Sequence, residues 1–261
     1  MRTYTDPEGV TTTYTYDGLN RLTSETVTVS GKTQTTEKEY DGNGNVTAEI
    51  DRFGNRTSYI YDAFDRLTTV VSADGIVQVS YIYDPAGNCI SQTDALNKVT
   101  EYKYNGGGQV TKTTDAEGNV TEKSYDALGN VAAATDGGEN TTTYTYDGLG
   151  RLLTVTTADN TKTTYTYDAW GNLRSQTDGK NNKTEYFYNV ANLLLTKKES
   201  GTVTVTYTYN GDGSVATMTD ANGTVNTYVY NVHGELLSET AEGTDGSVST
   251  YTYTTTVSAT C

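Results

Sequence analysis

Carboxylates are the side chains of this sequence with the widest capacity for chemistry, and many of the aspartates recur at a fixed spacing. Oxygen ligands of this kind bind Ca²⁺, and paired carboxylates hydrolyse glycosidic bonds. The sequence, however, contains neither the EF-hand spacing nor a Gly-Gly-x-Gly-x-Asp nonapeptide. Asp or Asn directly follows a Tyr at eleven positions: Asp17, Asp41, Asp62, Asp84, Asn105, Asp126, Asp147, Asp168, Asn189, Asn210 and Asn231.

These acids follow the repeat of the sequence, and Asn replaces Asp in four of the eleven copies. A side chain that caps a turn explains such a column without any catalysis, because Asp and Asn both bond to the backbone a few residues on. No unique pair of acidic residues departs from the spacing of this repeat. We therefore predict that the chain is not an enzyme, has no catalytic, metal-binding or cofactor-binding residue, and needs no cofactor.

His233 is the only His of the sequence, and no second His or Cys lies close to it. A zinc site or a nucleophilic triad would therefore lack its parts. We predict a surface turn residue, since His233 shares its column with apolar turn residues. The Gly-rich stretch 106–108 is not followed by Lys-Ser/Thr, so a phosphate-binding loop is not predicted. The turn column that contains His233 also holds Leu19, Phe64, Leu128, Leu149 and Trp170.

The composition favours strands and turns over helices. Of 261 residues, 23 are Tyr, 26 are Gly and 2 are Pro, and hydrophobic residues make up 34%. Tyr and Thr favour strands, whereas Gly, Asn and Asp favour turns. The aromatic content also separates the chain from typical disordered segments.

The formal net charge is −15, from 18 Lys+Arg and 33 Asp+Glu. Nucleic-acid phosphates and anionic membrane surfaces would be repelled. No apolar run approaches the roughly 20 residues of a transmembrane helix, and the start MRTYTDPEG lacks the apolar stretch of a signal peptide. We therefore expect no nucleic-acid partner and no membrane insertion, and we expect any export signal to lie outside this chain.

A repeat of 21 residues organises the sequence. We call the Tyr before each Asp or Asn column position the anchor tyrosine, and we add the final Tyr-x-Tyr of the chain. Eight of the eleven intervals between successive anchors are 21 residues long, and ten anchors have another Tyr two residues earlier. The anchors are Tyr16, Tyr40, Tyr61, Tyr83, Tyr104, Tyr125, Tyr146, Tyr167, Tyr188, Tyr209, Tyr230 and Tyr253.

The fourth residue after each anchor predicts the turn. Gly tolerates a positive φ, and Asn and Asp are the next best residues there. The pattern Asx-x-x-Gly therefore predicts a type I turn that a left-handed residue closes, within a three-residue hairpin with a bulge. We predict a positive φ at every position of this column: Asn20, Gly44, Asp65, Gly87, Gly108, Gly129, Gly150, Gly171, Asn192, Gly213 and Gly234.

An apolar residue follows this column two positions later and is predicted to enter the next strand on a buried face. Cys89 stands in this apolar column, so we predict a buried free thiol. Cys261 lies about 16 strands further, ~75 Å along an extended path, whereas a disulfide needs Cα atoms within ~7 Å. No bond between the two is expected. The apolar column consists of Leu22, Val46, Leu67, Cys89, Val110, Val131, Leu152, Leu173, Leu194, Val215 and Leu236.

A second turn lies half a repeat away, as in Asp115–Gly118. Each repeat is therefore strand, turn, strand, turn, and in one copy the strands are predicted at Asn130–Thr135 and Asn140–Tyr146. Some two dozen strands would form one antiparallel meander. Open twisted sheets rarely exceed about 10 strands without curling. We predict an all-β fold: a repetitive antiparallel β-meander that curls into a spiral, solenoid-like ribbon or partial shell.

The motif Tyr-x-Tyr-Asp-x-x-Gly-Arg/Asn-Leu, followed by Thr-Asp-x-x-Gly-Asn-x-Thr, closely resembles the YD repeat, also called the Rhs repeat. The resemblance covers about Asp6 to Tyr253 in eleven copies. Such repeats occur in secreted or surface bacterial proteins, bacterial toxin complexes and teneurins. The resemblance implies a spiralling β-sheet that wraps into a hollow shell, which in the toxins encloses a C-terminal toxic domain. Neither a core cleavage region nor a toxic domain is recognisable here.

The predicted function is therefore a noncatalytic scaffold in an extracellular or cell-surface shell that encloses or displays another domain. Residues 1–261 are expected to be a single array of about 12 repeats, incomplete at both ends. One alternative is a self-assembling surface fibre whose open end strands pair with other copies or with adjacent repeats. The uncharged stretch Ser249–Thr260 favours this alternative. Another is a carbohydrate-binding surface module, which predicts several Tyr exposed in a groove.

Overall fold

The computed structural model describes residues 1–253, and within them the chain forms 24 β-strands and no helix. Residues 254–261 lie outside the described part, so the predictions for Cys261 and for most of Ser249–Thr260 are not addressed by it. The all-β, repetitive antiparallel meander is confirmed. The predicted curling stays a prediction.

The residues fall into two compact units, the first made of 1–123 and 135–139 and the second of 124–134 and 140–253. Strands β1 to β12 are Arg2–Thr5, Thr11–Tyr16, Leu22–Val29, Lys32–Tyr40, Val46–Ile50, Arg56–Tyr61, Leu67–Val71, Val77–Tyr83, Cys89–Asp94, Val99–Tyr104, Val110–Thr114 and Val120–Tyr125. Strands β13 to β24 are Val131–Thr135, Thr141–Tyr146, Leu152–Thr156, Lys162–Tyr167, Leu173–Thr177, Lys183–Tyr188, Leu194–Glu199, Thr202–Tyr209, Val215–Asp220, Val225–Tyr230, Leu236–Glu242 and Val248–Thr252.

Within each unit, strands that follow one another in the sequence pair side by side, as a meander requires. In the first unit the antiparallel ladder runs from β1 to β12. In the second it runs from β14 to β24. The two predicted strands of the 126–146 copy are confirmed to within one residue at their start, as Val131–Thr135 and Thr141–Tyr146.

The predicted turn geometry is confirmed at every position of the Gly column. Gly150 has a φ of 77°, and the three non-Gly members Asn20, Asp65 and Asn192 have φ values of 62°, 60° and 62°. The turn closes with the backbone bond from Gly150 N to Asp147 O at 3.0 Å. Only Gly, Asn and Asp occupy this column because a left-handed residue with a branched or bulky side chain is strained.

A β-bulge follows the turn in each ladder and changes which side chains share a face. Tyr146 pairs with Leu152, but Thr145 pairs with Thr154, so Leu153 is an extra residue. The apolar residue therefore lies beside the anchor tyrosine, while the threonines meet on the opposite face. The same shift occurs at Tyr16, Tyr40, Tyr61, Tyr83, Tyr104, Tyr146, Tyr167, Tyr188, Tyr209 and Tyr230.

Neither unit has a hydrophobic core of large side chains. Among the described residues only Ala48 and Ser175 are buried, and no large side chain is fully buried. The apolar column and the anchor tyrosines other than Tyr253 are half-buried, because each side chain is covered only by its neighbours along the ladder. Cys89 is a free thiol as predicted, but it is half-buried, and the prediction of a buried thiol was wrong. A single layer of strands leaves one side of the thiol open.

Candidate functional site

The recurring structural feature is the turn after each anchor tyrosine, in which one Asx residue satisfies several donors. In the copy at 147–151, Asp147 Oδ1 accepts hydrogen bonds from the backbone N–H groups of Leu149 at 2.9 Å and Arg151 at 3.0 Å. Its own N–H donates to the carbonyl of Arg151 at 2.9 Å. The carboxylate is thus used by the turn itself, as the sequence predicted for this column.

The fifth residue of the turn completes the hydrogen bonding of the first. Where the first residue is Asp, the fifth is a donor: Asn172 Nδ2 donates to Asp168 Oδ2 at 3.0 Å. Where it is Asn, the fifth is an acceptor in three of the four copies, as in Asn231 Nδ2 to Glu235 Oε2 at 2.6 Å. The acceptors are Gln109, Ser214 and Glu235, and the donors are Arg21, Asn45, Arg66, Asn88, Asn130, Arg151 and Asn172.

These hydrogen bonds hold the turn aspartates ionised. The side-chain hydrogen bond from Asn172 lowers the pKa of the Asp168 carboxyl, and the backbone N–H of Arg151 is the main cause that lowers the pKa of Asp147. A general acid needs a raised carboxyl pKa, so the column is tuned away from acid catalysis. The same direction applies to the pKa of Asp17, Asp41, Asp62, Asp84 and Asp126.

Where the fifth residue is Arg, it joins its own turn to the next repeat. Arg66 Nε donates to Asp62 Oδ2 at 2.7 Å, and Arg66 Nη1 donates to the carbonyl of Asp84 at 3.1 Å. Its guanidinium also lies over the ring of Tyr83. Arg suits this place because a planar guanidinium can stack and donate in its plane together. Arg21 and Arg151 make the equivalent contacts with Tyr40 and Tyr167.

The anchor hydroxyls join each repeat to the one before. Tyr167 ends β16, pairs with Leu173 of β17, and donates its hydroxyl to the carbonyl of Leu152 in β15 at 2.9 Å. One tyrosine therefore connects three successive strands. The same bond to the apolar column is made by Tyr40, Tyr61, Tyr83, Tyr104, Tyr146, Tyr188 and Tyr209. Its sequence signal is the use of Tyr, rather than Phe, at every anchor.

The remaining candidates do not converge on one site. His233 lies exposed in its turn, where its N–H donates to Asn231 Oδ1 at 2.9 Å. Tyr side chains are half-buried at twenty of 23 positions; the exposed ones are Tyr4, Tyr251 and Tyr253. No group of three or more His, Cys, Asp or Glu in residues 1–253 could hold a metal ion. Over the same residues, no helix is long and apolar enough to span a membrane.

Residues 3–195 match the family described as the teneurin YD-shell. The chain belongs to the teneurin YD-shell family. The resemblance drawn from the repeat motif is thereby confirmed, and the chain is a stretch of shell-like scaffold. No curated protein matches the sequence.

Solved structures similar to this YD-shell chain are bacterial toxin complexes. The complex TcdB2-TccC3-Cdc42 aligns with a TM-score of 0.53 at 16% identity, over 93% of this chain and 17% of the toxin chain. TcdB2-TccC3 aligns with a TM-score of 0.52 at 17% identity, again over 93% and 17%. The Tc holotoxin pore of Photorhabdus luminescens gives 0.54 at 16%, over 92% and 17%. The likeness concerns the fold, and this chain spans about a sixth of those chains.

Proposed function

We propose that this chain is a noncatalytic wall segment of an extracellular YD-repeat shell that encloses or displays another domain. Residues 1–261 would act as one array of about 12 repeats. Family membership supports the shell, and the fold likeness to Tc toxin complexes supports an enclosed partner domain. Both comparisons also support an extracellular location.

The observation that carries the proposal is the connection from each repeat to the next. Anchor hydroxyls, turn arginines and the ladder all bond to adjacent strands, whereas large side chains are nowhere fully buried in the described residues. The stability of such a chain is the sum of contacts between neighbouring repeats. An array can therefore be lengthened by adding repeats, without a new hydrophobic core. This is what a wall needs.

The test is protection of a partner domain in the native gene product. The product is expressed whole, and the protease resistance of any domain outside the repeats is compared with that of the same domain alone. A wall slows the cleavage of the partner domain, and electron microscopy shows the repeats surrounding or carrying it. Equal cleavage rates, with the repeats apart from the domain, would overturn the proposal. Turnover of glycoside, ester or peptide substrates by the 261-residue chain would overturn the noncatalytic part.

A fibre subunit is the second candidate, and the terminal strands of the described part favour it. Strand β1 pairs with β2 and β24 with β23, and every residue of β1 and β24 is exposed. Such edges invite another strand. Head-to-tail pairing of copies would continue into a filament or superhelix unless the geometry closed a ring. Analytical ultracentrifugation across a salt series tests it: growth with salt is expected, since the charge of −15 is screened over ~8 Å at physiological ionic strength.

Charged edge variants identify the strands responsible. Tyr4→Lys and Tyr251→Lys place a Lys on each exposed edge and should abolish the growth. A sharp monomer at all salt concentrations would contradict the fibre. The carbohydrate-binding alternative stays a prediction, and the half-burial of most Tyr does not favour it.

A further inference from the structure

Four asparagines of the chain are followed directly by glycine: Asn43, Asn105, Asn210 and Asn222. An Asn side chain in this position can react with the main chain, because glycine has no Cβ to shield its nitrogen. The glycine nitrogen attacks the side-chain carbonyl carbon, loses its proton and displaces ammonia. A cyclic succinimide results, and water then opens it at either of its carbonyls. The turns hold the four pairs differently, so their reactivity should differ.

The attacking nitrogen is already hydrogen-bonded in two of the pairs. Gly44 N donates to the backbone carbonyl of Asp41 at 3.3 Å and to its Oδ1 at 2.8 Å. Gly223 N donates to a backbone carbonyl at 3.1 Å. In the part of the chain that the structure describes, the N–H groups of Gly106 and Gly211 donate to no other residue. These two nitrogens are therefore the freer nucleophiles, since they release no hydrogen bond before they attack.

The side chain that is attacked separates the two remaining pairs. Asn105 is half-buried, and its Oδ1 accepts two backbone N–H groups, each at 3.0 Å. Asn210 is exposed, and its side-chain hydrogen bond runs from Nδ2 to Ser214 Oγ at 2.9 Å. The N–H of Ser214 donates to Asp212 Oδ1 instead of to Asn210. The Asn210 side chain can therefore rotate toward Gly211 N with the loss of fewer hydrogen bonds than Asn105.

We propose that Asn210 is a site of spontaneous deamidation, at which Gly211 N displaces the side-chain amide and both products loosen the β20–β21 hairpin. Water is the only other reactant. Opening of the succinimide at the side-chain carbonyl leaves an aspartate at position 210. Opening at the backbone carbonyl leaves an isoaspartate, whose main chain runs through the former side chain. This inference does not rest on the shell function.

The aspartate product has no donor in its turn. Ser214 Oγ donates its single proton to Asp212 Oδ1 at 2.7 Å, and it accepts from Asn210. A carboxylate at position 210 therefore faces an acceptor and a second carboxylate. The isoaspartate product adds a carbon to the main chain, and the carbonyl that accepts from Gly213 N at 3.0 Å becomes a free carboxylate. Each product thus removes a hydrogen bond that closes the hairpin.

The test follows deamidation in the folded 261-residue chain during incubation at mildly alkaline pH. Peptide mapping by mass spectrometry measures aspartate and isoaspartate at each of the four positions. Asn210 should react first. The rates at Asn43, Asn105 and Asn222 should be about fivefold lower or more, the factor that corresponds to one retained hydrogen bond. In guanidinium chloride the four rates should become similar, because the turns are then absent.

Gly211→Ala is the matched variant, since an added Cβ at Gly211 meets no heavy atom within 4 Å. The methyl group hinders the approach of the nitrogen and should slow deamidation of Asn210 about tenfold. The rates at the other three pairs should stay unchanged. An unfolding temperature equal to that of the wild type checks that the variant keeps the turn.

The effect on the hairpin is read by native-state hydrogen exchange. Modified chains, separated by anion exchange, should exchange faster in β20 and β21 than fresh chains and equally in β16 and β17. Asn210→Asp reproduces the aspartate product and should give the same faster exchange. Adding Ser214→Asn should restore protection, because Asn172 Nδ2 donates to Asp168 in the same kind of turn.

Three results would overturn the inference. One is a rate at Asn210 no higher than at Asn222 in the folded chain. Another is the same order of rates in the folded and denatured chains, which would assign the difference to the local sequence. The third is an unchanged rate in Gly211→Ala, which would exclude attack by this nitrogen. Equal exchange in modified and fresh chains would refute the loosening of the hairpin.

Discussion

The guanidinium carbon of Arg66 lies 4.7 Å from the centre of the Tyr83 ring, one repeat further along the chain. The same arginine is 26% exposed in its salt bridge with Asp62, so the stacked side is shielded from water. We predict a coupling energy of ~0.5–1 kcal/mol between Arg66 and Tyr83, since a cation over an aromatic face is attracted by its quadrupole. A double-mutant cycle of Arg66→Asn and Tyr83→Leu, read by native-state hydrogen exchange, measures it.

Asn88 and Tyr104 provide the control for this cycle, because Asn88 holds the same turn position without a cation. Asn88→Ala combined with Tyr104→Leu should give a clearly smaller coupling. Equal coupling in the two cycles would show that the arginine contributes by packing alone. Local exchange rates are preferred to a global unfolding curve, because a repeat array need not unfold in one step.

The donor and acceptor rule of the turn predicts a rescue. Asn231→Asp should destabilise the β22–β23 hairpin, because the new carboxylate faces the Glu235 carboxylate that Asn231 now bonds at 2.6 Å. Adding Glu235→Arg should restore the hairpin, since Asp with Arg occurs in three natural copies. The measurement is amide exchange in β22 and β23. Failure of the second change to rescue the first would show that the pairing is incidental.

Two glycines of one turn separate conformational strain from side-chain volume. Gly150 has a φ of 77°, whereas Gly148 has no positive φ and no heavy atom within 4 Å of an added Cβ. Gly150→Val should destabilise the hairpin by ~1–2 kcal/mol, because L residues with branched side chains are strained in the left-handed region. Gly148→Val is the control and should destabilise the hairpin much less than Gly150→Val does. Similar losses in the two variants would contradict the assigned turn.

Acid should weaken the turns. The hydrogen bond from Asn172 lowers the pKa of Asp168 below its ordinary value of about 3.9. A lowered folded-state pKa gives stability that is present above the unfolded value and is lost as the pH falls through the folded value. We therefore expect the thermal midpoint, followed by circular dichroism, to fall below about pH 4. Asp168→Asn should reduce the stability that its hairpin loses in acid. A dependence of the thermal midpoint on pH that is the same as in the wild type would refute this role of Asp168.

Alkali should weaken the ladder through the anchor tyrosines. Burial raises the pKa of the Tyr209 hydroxyl, which donates to the carbonyl of Leu194 at 2.7 Å. A raised folded-state pKa gives stability that is present below the ordinary value near 10 and is lost as the pH rises through the folded value. Tyr209→Phe should lower the free energy of unfolding by ~0.5–1.5 kcal/mol at neutral pH. It should also remove part of the stability loss that the wild type shows in alkali.

Tyr4 provides the control for the alkaline experiment, since it is 62% exposed. Tyr4→Phe should leave both the neutral stability and the alkaline profile unchanged. Ultraviolet titration of the wild type should show a fraction of tyrosines that ionise later than the ordinary value. Titration of all 23 tyrosines as one class would argue against burial as the cause.

The sequence by itself determined the features that depend on neighbours within about five residues. The period, the turn type and the positive φ at Asn20, Asp65 and Asn192 follow from steric limits on a single residue and from hydrogen bonds inside one turn. The pairing between the first and fifth residues of the turn, though missed, was also present in the sequence. The strands between the turns were predictable because Thr and Tyr alternate with period two.

Only the tertiary structure decided which strand each side chain reaches. The bond from Tyr167 to Leu152 and the stack of Arg66 on Tyr83 join residues 15 and 17 positions apart, and a sequence pattern does not measure such distances. The bulge at Leu153 likewise appears only in the register of the ladder. Half-burial of Cys89 depends on how many layers cover the sheet. Local sterics fix a turn, but burial and cross-strand contacts require the neighbouring strands to be in place.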